Sequence, residues 1–203
     1  MMENTQQNWY AAKVFFNRVF VFEEQLAAEG YASYIAVAKV LLKGEDHLRA
    51  ARMLALSKFT PDRRYIREGA LIFERKPLIS SLLFFQAAPD ELVYIEKMLY
   101  GKGFIYKKAD GSGPAVIPPR QMASFRLVTS SGDTGLTFFA DGPSINIRQG
   151  DRVRVLEGPL KGAEGYIKRI KKDRRLLVSI DGVVAVATSY IPQQFLEIVP
   201  ENQ

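Results

Sequence analysis

The sequence has no cysteine and only one histidine among its 203 residues. Without cysteine, the chain forms no disulfide and offers no thiolate to a metal ion. His47 has no second histidine with which to form a familiar metal cluster, and its spacing ties it to no nucleophile and orienting acid. The glycines match neither a Walker loop nor a dinucleotide-binding fingerprint. We therefore expect no metal site, no cofactor and no enzymatic activity, and we place His47 on the surface of a helix.

Long apolar runs are also absent. No uninterrupted apolar segment reaches the roughly 18 residues that a membrane span needs. The first eight residues lack the basic region of a signal peptide. Apolar residues nevertheless make up 47% of the chain, which is enough for packed cores. We expect a globular, cytoplasmic protein that acts as a monomer and has no membrane partner.

Acidic residues are fewer than basic ones, 22 against 28, so the formal net charge is +6. A basic protein attracts anionic partners, which include nucleic acids and acidic protein surfaces. A modest excess is equally typical of an ordinary soluble basic protein. The charge alone therefore leaves both alternatives open.

The first half of the chain alternates between strand and helix patterns. Segment 9–16 is apolar and aromatic, and Asn17 is placed to cap a helix whose apolar face contains Val19, Phe22 and Leu26. This order of elements predicts an α+β fold in which an antiparallel sheet is flanked by helices. The further predicted elements are strand 34–42, a helix within 46–56, strands 71–75 and 78–86 separated at Lys76-Pro77, helix 90–99, a hairpin within 104–117 and a helix from Pro118-Pro119 to about 127.

The second half has a different composition. Residues 129–149 are rich in Ser, Gly, Asp and Pro, which indicates a linker between domains 1–128 and 150–203. The apolar residues in this segment, Leu136, Phe138 and Phe139, favour docking on either domain, a short strand or a mobile patch. Short strands separated by turn residues then favour a five-stranded SH3-like β-barrel over a sandwich. The predicted strands are 151–156, 163–170, 176–180, 183–188 and 195–199.

A hairpin motif lies at the start of the predicted barrel. Val153 and Val155 alternate with arginines, as in a strand with one buried face, and Gly158-Pro159 ends that strand. Gly162 and Gly165 allow the returning strand to bend. The motif resembles the KOW motif of NusG-type transcription factors, although KOW-like barrels also occur in ribosomal proteins. The resemblance rests on Gly150, Val153, Val155, Gly158, Pro159, Leu160, Lys161, Gly162 and Gly165.

The first half is similar to the N-terminal domain of the same NusG family. This resemblance rests on Trp9-Tyr10, on Lys76-Pro77-Leu78-Ile79 before Leu82-Leu83-Phe84-Phe85, and on Pro118 before the last helix. Together with the KOW motif, it covers nearly the whole chain. It implies a non-enzymatic elongation factor whose exposed apolar patch binds the clamp of the largest RNA polymerase subunit and suppresses pausing. A ribosome-associated or general RNA-binding KOW protein is the alternative.

The resemblance also implies which residues contact the polymerase. Ile79 matches a position where the family exposes an aromatic side chain, so it is the best contact candidate. Trp9, Tyr10 and Phe84 are aromatic residues within strands, which favours a place in the core. The implied polymerase-binding residues are Trp9, Tyr10, Lys13, Ile79, Leu82, Phe84 and Tyr106.

Three departures from the housekeeping pattern indicate a specialised paralogue of the RfaH, LoaP or UpxY kind. Ser80-Ser81-Leu82 replaces a rigid turn and an aromatic residue, and the basic segment 43–76 is longer than usual. Ala163 stands where the housekeeping factor presents an aromatic side chain to a ribosomal protein or to Rho, so binding to either should be weak. Segment 183–192 most resembles the UpxY group, which promotes transcription of long surface-polysaccharide operons. The resemblance thus implies operon-specific antitermination.

Basic residues in the first half are candidates for contact with non-template DNA or nascent RNA. Asn17 and Arg18 lie where RfaH-like proteins begin their DNA-reading surface, and the other residues would contact phosphates first. The alternative is a solvated basic face, because acidic residues are interleaved with these cations. A second charge run, 168–175, is predicted near a hairpin tip as a solvated run or as a nucleic-acid or ribosome contact. The candidates in the first half are Asn17, Arg18, Arg49, Arg52, Arg63, Arg64, Arg75 and Lys76.

Overall fold

The computed structural model describes residues 6–56, 62–140, 150–170 and 173–200. Within them the chain forms antiparallel sheets and helices. The helices are α1 (Val19–Ala28), α2 (Gly44–Leu56), α3 (Leu92–Leu99) and α4 (Pro119–Thr129). The strands are β1 (Asn8–Val14), β2 (Ser33–Tyr34), β3 (Val37–Leu41), β4 (Tyr65–Glu68), β5 (Leu71–Pro77), β6 (Leu82–Ala87), β7 (Gly103–Ile105), β8 (Thr137–Ala140), β9 (Arg152–Val155), β10 (Glu164–Ile170), β11 (Asp173–Ile180), β12 (Val184–Tyr190) and β13 (Leu196–Ile198).

The first sheet has the strand order β2-β6-β1-β7, and all of its pairings are antiparallel. Side chains alternate along β1, so Tyr10, Ala12 and Val14 are buried against α1 and α3 while Ala11 faces the other side. Tyr10 stacks on Phe85 of β6 with 5.7 Å between the ring centroids. These contacts confirm the predicted antiparallel sheet flanked by helices.

The strands between α1 and α3 differ from the prediction. Predicted strand 34–42 is divided into β2 and β3, which belong to different sheets. The break before β6 follows Pro77 instead of falling at Lys76-Pro77, because a proline at the last strand position removes no interior ladder hydrogen bond. Strand β4 has no counterpart among the predicted strands, because its apolar run is only Tyr65-Ile66. Strands β3, β5 and β4 form a second sheet in that order.

The predicted hairpin within 104–117 is only partly formed. Its first arm is β7, and beyond it isolated bridges join Lys107 to Pro114 and Trp9 to Ile117. The second arm therefore returns to β1 through Ile117, whose N–H donates to the Trp9 carbonyl at 2.8 Å. It forms no continuous ladder with β7 in this part of the chain.

The start of α1 corrects the predicted cap. Arg18 is the N-cap residue, not Asn17. Phe16 and Asn17 both have left-handed backbone conformations, with φ of 60° and 56°. The Arg18 N–H donates to the Phe15 carbonyl at 3.3 Å, which closes a tight turn between β1 and the helix. Asparagine tolerates this conformation better than most residues, so Asn17 forms the turn instead of the cap.

The third sheet has six strands in the order β13-β9-β10-β11-β12-β8. The five strands predicted for this region are present as β9 to β13. The sixth strand, β8, comes from the predicted linker and pairs Phe138 with Val186 and Phe139 with Ala185. Across the described residues the pairing order is linear, so an open six-stranded sheet replaces the predicted five-stranded barrel. Residues 141–149 of the predicted linker lie outside the described residues.

Helix α4 lies between the first and third sheets. It contacts β1 on one side and β10, β11 and β12 on the other. The buried side chains of Phe84 and Phe125 therefore belong to the same apolar cluster as Val153 and Val178. A second apolar cluster lies between the first sheet and helices α1 and α3. The two halves of the chain thus share buried apolar surface through α4.

Candidate interaction surfaces

The strand register places most of the implied polymerase-binding residues on one face of the first sheet. Trp9 and Lys13 alternate with the inward-facing residues of β1, while Phe84 lies opposite Ala11 and Leu82 lies opposite Lys13. We call this side, opposite α1 and α3, the outer face. Tyr10 belongs to the inner face and is only 1% exposed, so it is part of the core.

Helix α4 covers one end of the outer face. Phe125 packs on Phe84 with 5.2 Å between the ring centroids, and the Thr129 hydroxyl lies 2.7 Å from the Tyr34 hydroxyl. The Arg126 guanidinium lies over the rings of Trp9 and Tyr34. Phe84 is therefore buried, as expected from the sequence, Leu82 is also buried, and Trp9 is half-buried. Phe84 and Trp9 stabilise the contact with α4 in this conformation.

Three other implied polymerase contacts are only partly buried. Lys13, Ile79 and Tyr106 are each half-buried and keep part of their side chains at the surface. Ile79 and Tyr106 pack against the apolar cluster that contains Phe84. Ile79, the best contact candidate from the sequence, thus has an apolar base and an accessible side.

Sequence reasoning missed three aromatic residues beside this surface. Phe104 belongs to β7, an edge strand of the first sheet, and Phe15 and Phe16 follow β1 beside it. The three side chains, Phe15, Phe16 and Phe104, are 37%, 77% and 45% exposed. Phe15 contacts the rings of Phe16 and Phe104 at centroid distances of 6.2 and 6.0 Å. We call Phe15, Phe16 and Phe104 the aromatic edge. Two adjacent phenylalanines at a strand end were a usable signal, because successive side chains point to opposite faces.

Arg75, one of the nucleic-acid candidates, is held inside the protein. Its Nη1 donates to Glu23 Oε2 at 2.7 Å and to the Arg63 carbonyl at 2.9 Å, and its Nη2 donates to Glu23 Oε1 at 2.9 Å. The guanidinium also lies 4.9 Å from the centroid of the Phe20 ring. Through these contacts Arg75 joins the second sheet to α1. Its guanidinium therefore has little remaining capacity to bind a phosphate.

Two further nucleic-acid candidates have acidic partners. Arg64 pairs with Asp62 at 2.6 Å, and this hydrogen-bonded contact raises the pKa of Arg64 and lowers the pKa of Asp62. Lys76 lies 3.4 Å from Glu74. Both cations remain exposed, so an anionic ligand could still exchange with these surface partners.

The remaining basic candidates occupy two places. Asn17 and Arg18 are exposed in the turn before α1, while Arg49 and Arg52 lie on the side of α2 away from its buried Ala50. Arg18, Arg49 and Arg52 form no ion pair with another described residue. Arg63 is half-buried, and its carbonyl oxygen accepts the Arg75 bond. The structure therefore brings Asn17 and Arg18 together but does not join all the basic candidates into one site.

The KOW-like residues form the β9–β10 hairpin. Val153 and Val155 are buried, and the Lys161 N–H donates to the Gly158 carbonyl at 3.1 Å within the turn. Gly165 allows close strand contact, because a Cβ atom there would lie 2.4 Å from the Leu177 carbonyl oxygen. The other members of the motif, Gly150, Pro159, Leu160 and Gly162, flank this strand pair or lie in its turn. The motif therefore shapes the sheet, and Ala163 at its end is fully buried.

Polar contacts join α4 to the third sheet. Ser124 Oγ accepts the Glu164 N–H at 3.0 Å, and Gln121 Nε2 donates to Asp181 Oδ2 at 3.0 Å. The Glu164 carboxylate lies 2.8 Å from Arg152 and 2.7 Å from Arg154. Burial raises the pKa of Glu164, but the Arg154 hydrogen bond and the nearby arginine charges outweigh it and hold that pKa below its usual value. Glu164 is thus ionised within a charged contact beside the interface.

Like charges face each other in the β10–β11 hairpin. Lys168 is the cross-strand partner of Arg175, and Arg169 is the cross-strand partner of Arg174. Directly opposed like charges destabilise an antiparallel pair. Arg175 is partly compensated by Asp173 at 3.7 Å, and Arg174 donates to Gln193 at 2.5 Å. Positions 171–172 of the predicted charge run lie outside the described residues.

No protein-family model matches the chain. A solved structure described as "Domain interaction in Thermotoga maritima NusG" is similar over 96% of this chain and 98% of that chain, with 13% identity and a TM-score of 0.41. A likeness at this identity and TM-score does not establish the family. None of the described helices is long and apolar enough to cross a membrane. The described residues also contain no group of three His, Asp or Glu side chains that could hold a metal ion.

Proposed function

We propose that this chain is a NusG-type transcription elongation factor, without enzymatic activity, that binds RNA polymerase through the outer face of its first sheet. The observation that carries the proposal is the partial exposure of Lys13, Ile79 and Tyr106, of which Ile79 and Tyr106 pack against the apolar cluster that contains Phe84. These residues combine one cation with an apolar and an aromatic side chain. The clamp of the largest polymerase subunit is the partner that the sequence resemblance implies.

The part of the outer face that α4 contacts fits the same role in a different conformation. Phe84 packs on Phe125 of α4, Trp9 lies under Arg126 of α4, and α4 in turn packs against the third sheet. Polar bonds at Ser124 and Gln121 complete the contact with the third sheet. Polar contacts exchange readily with water, whereas the apolar contacts with Phe125 do not. We therefore assign polymerase contact first to Lys13, Ile79 and Tyr106.

We further propose a specialised, operon-specific antitermination factor of the surface-polysaccharide type, acting as a cytoplasmic monomer. The full burial of Ala163 supports this assignment, because the third sheet presents no large anchor at that position to a ribosomal protein or to Rho. The basic segment supports it as well, because it forms helix α2 and contributes β4 and most of β5 to the second sheet. Arg18, Arg49 and Arg52 are the side chains best placed to contact non-template DNA or nascent RNA.

The first test is binding of the full-length protein to core RNA polymerase. Ile79→Glu should weaken this binding at least about tenfold, because it brings a charge into an apolar contact. Val93→Glu is a matched control, since Val93 is an exposed apolar residue on α3, away from the outer face. Thermal unfolding of both variants shows whether the fold is intact. Equal binding by the two variants would contradict the proposed surface.

The second test is transcription by purified polymerase on pausing and terminator templates. Read-through should be longer when the protein is present, and Ile79→Glu should give no such gain. Enhanced termination would reverse the sign of the assigned effect. The readout is the fraction of full-length transcript.

An RNA-binding module associated with the ribosome is the second candidate function. The opposed cation pairs Lys168–Arg175 and Arg169–Arg174 favour it, because a bound phosphate chain would offset their repulsion. This candidate predicts strongly salt-dependent RNA binding that Ile79→Glu leaves unchanged. Arg174→Glu should weaken such binding, whereas the proposed polymerase contact should be insensitive to it.

A further inference from the structure

Strand β8 covers one long edge of the strand β12 in the third sheet. It is the outermost strand on that side, and β12 pairs with β11 along its other edge. Each of the four residues of β8 has a cross-strand partner in β12. Phe139 packs on three apolar side chains that are at most 1% exposed, Leu177, Ala185 and Ala187. Strand β8 therefore covers both the backbone edge of β12 and apolar side chains beside it.

A polar clamp holds the start of β8 against the end of β12. The Ser189 N–H donates to Asp133 Oδ2 at 2.7 Å, and the Ser189 hydroxyl donates to Asp133 Oδ1 at 2.6 Å. The Gly135 N–H donates to the same Oδ1 atom at 2.8 Å. These bonds fix the turn before β8 to β12, in addition to the pairing of the two strands.

The sequence of β12 contains none of the usual protection of a free strand edge. Proteins protect free edges with charged side chains, with prolines or by keeping the edge strand very short. Strand β12 has seven residues, Val184–Tyr190, and none of them is charged, proline or glycine. Neutral strands rich in β-branched residues pair readily with further strands. Without β8, the β12 edge would therefore be open to another chain.

The free edges of the described sheets differ from β12 in this respect. The edge strand β3 carries Lys39, β4 carries Arg67 and Glu68, and β13 carries Glu197. The edge strands β2, β7 and β8 have only two, three and four residues. Among the strands that the structure describes, β12 is thus the one whose edge depends on being covered.

We propose that the β12 edge is a self-association surface and that β8 keeps the chain monomeric by occupying it. The occupant that fits this edge when β8 is displaced is β12 of a second copy. Two copies of one strand can pair antiparallel about a twofold axis, which gives both copies the same contacts. Because β12 carries no charge, every register of this pairing avoids opposed like charges. The inference goes beyond the proposed function, which concerns the first sheet.

The test measures the mass of the full-length protein by size-exclusion chromatography with light scattering over a dilution series. The wild-type protein should be monomeric. Phe139→Asp should release β8, because an ion in an apolar cluster is costly. This variant should have twice the monomer mass and return to the monomer on dilution. Phe104→Asp is the matched control, because it places the same charge on the edge strand β7 and should stay monomeric.

Two further variants separate the β12 edge from other causes of association. Asp133→Ala removes only the clamp, so it should form dimers to a smaller extent than Phe139→Asp. It decides the question if circular dichroism shows that Phe139→Asp does not fold. Adding Ala187→Glu to Phe139→Asp should restore the monomer, because pairing about the centre of β12 would then oppose two carboxylates.

Three results would overturn the inference. If the folded β8 variants stayed monomeric at every concentration, the β12 edge would not associate with a second copy, and only a strand of another protein would remain as its occupant. A dimer that persisted with Ala187→Glu would have its contact elsewhere. A dimeric wild-type protein would show that β8 does not keep the chain monomeric.

Discussion

Arg75 of β5 and Glu23 of α1 form a two-point ion pair in which their side chains are only 14% and 6% exposed. Arg75 reaches α1 from the central strand of the second sheet. The pair therefore fixes the position of that sheet against the first one. A buried pair of this kind adds little over apolar packing, but losing one partner leaves the other charge uncompensated.

Glu23→Ala should destabilise the protein by about 3–5 kcal/mol, because Arg75 would keep its charge without a partner. Urea unfolding, followed through the fluorescence of the single tryptophan Trp9, measures this change. The exposed residue Glu29 at the C-cap of the same helix offers a control, and Glu29→Ala should change stability by less than about 0.5 kcal/mol. The double variant Glu23→Ala/Arg75→Met should recover much of the loss. If the double variant recovered no stability, the loss in Glu23→Ala would not come from the unpaired charge of Arg75.

Gly135→Ala should destabilise the turn between α4 and β8. A Cβ atom at position 135 would lie 2.2 Å from Ser189 Oγ, which donates to Asp133 Oδ1 at 2.6 Å. Rotating Ser189 away would remove that hydrogen bond, at a cost of about 1–2 kcal/mol. In a Ser189→Ala background the same Gly135→Ala change should cost less. A double-mutant cycle by thermal unfolding gives the coupling, and additive effects would contradict the proposed contact.

Glu164 should make stability depend on pH in the acid range. Its folded-state pKa is lowered, so its contribution is present above its unfolded pKa, near about 4.3, and is lost as pH falls through the folded value. Wild-type protein should therefore lose more stability than Glu164→Gln between about pH 5 and pH 3. The measurement is the urea midpoint of both proteins across this range. Parallel pH profiles would show that Glu164 has no lowered pKa.

Phe125→Ala should weaken the contact between the two halves. Phe125 is fully buried in the apolar cluster that contains residues of both the first and the third sheet. Replacing it with alanine should therefore lower the stability by about 3–5 kcal/mol. Because the apolar cluster contains residues of both halves, the wild-type protein should unfold in one transition. The transition followed by Trp9 fluorescence should then coincide with the transition followed by circular dichroism of the sheets. Well-separated transitions would mean that the halves unfold independently. Ala123→Gly, at an exposed position of α4, is the control for helix propensity alone.

Local sequence patterns predicted much of the architecture. The apolar periodicity of α1 and α3, the alternation in β9 and the turn glycines of the KOW-like hairpin all have counterparts in the structure. They could be predicted because each depends on neighbours within a few residues. The burial of Phe84 followed from the same reasoning. The exposure of Phe16 did not, because the residue lies in a turn whose geometry depends on contacts with Lys102 and Ser81.

The sequence by itself determined the α+β class, the strand-rich second half, and the lack of cysteine chemistry. Only the tertiary structure decided that part of the predicted linker forms β8 in the third sheet, and that Arg75 pairs with Glu23 instead of lying free at the surface. Both outcomes depend on partners far away in the chain: β8 pairs with β12, and Arg75 lies 52 positions from Glu23. A pairing between distant segments leaves no periodic signal in either of them, because its energy depends on packing and burial that exist only once the chain has folded.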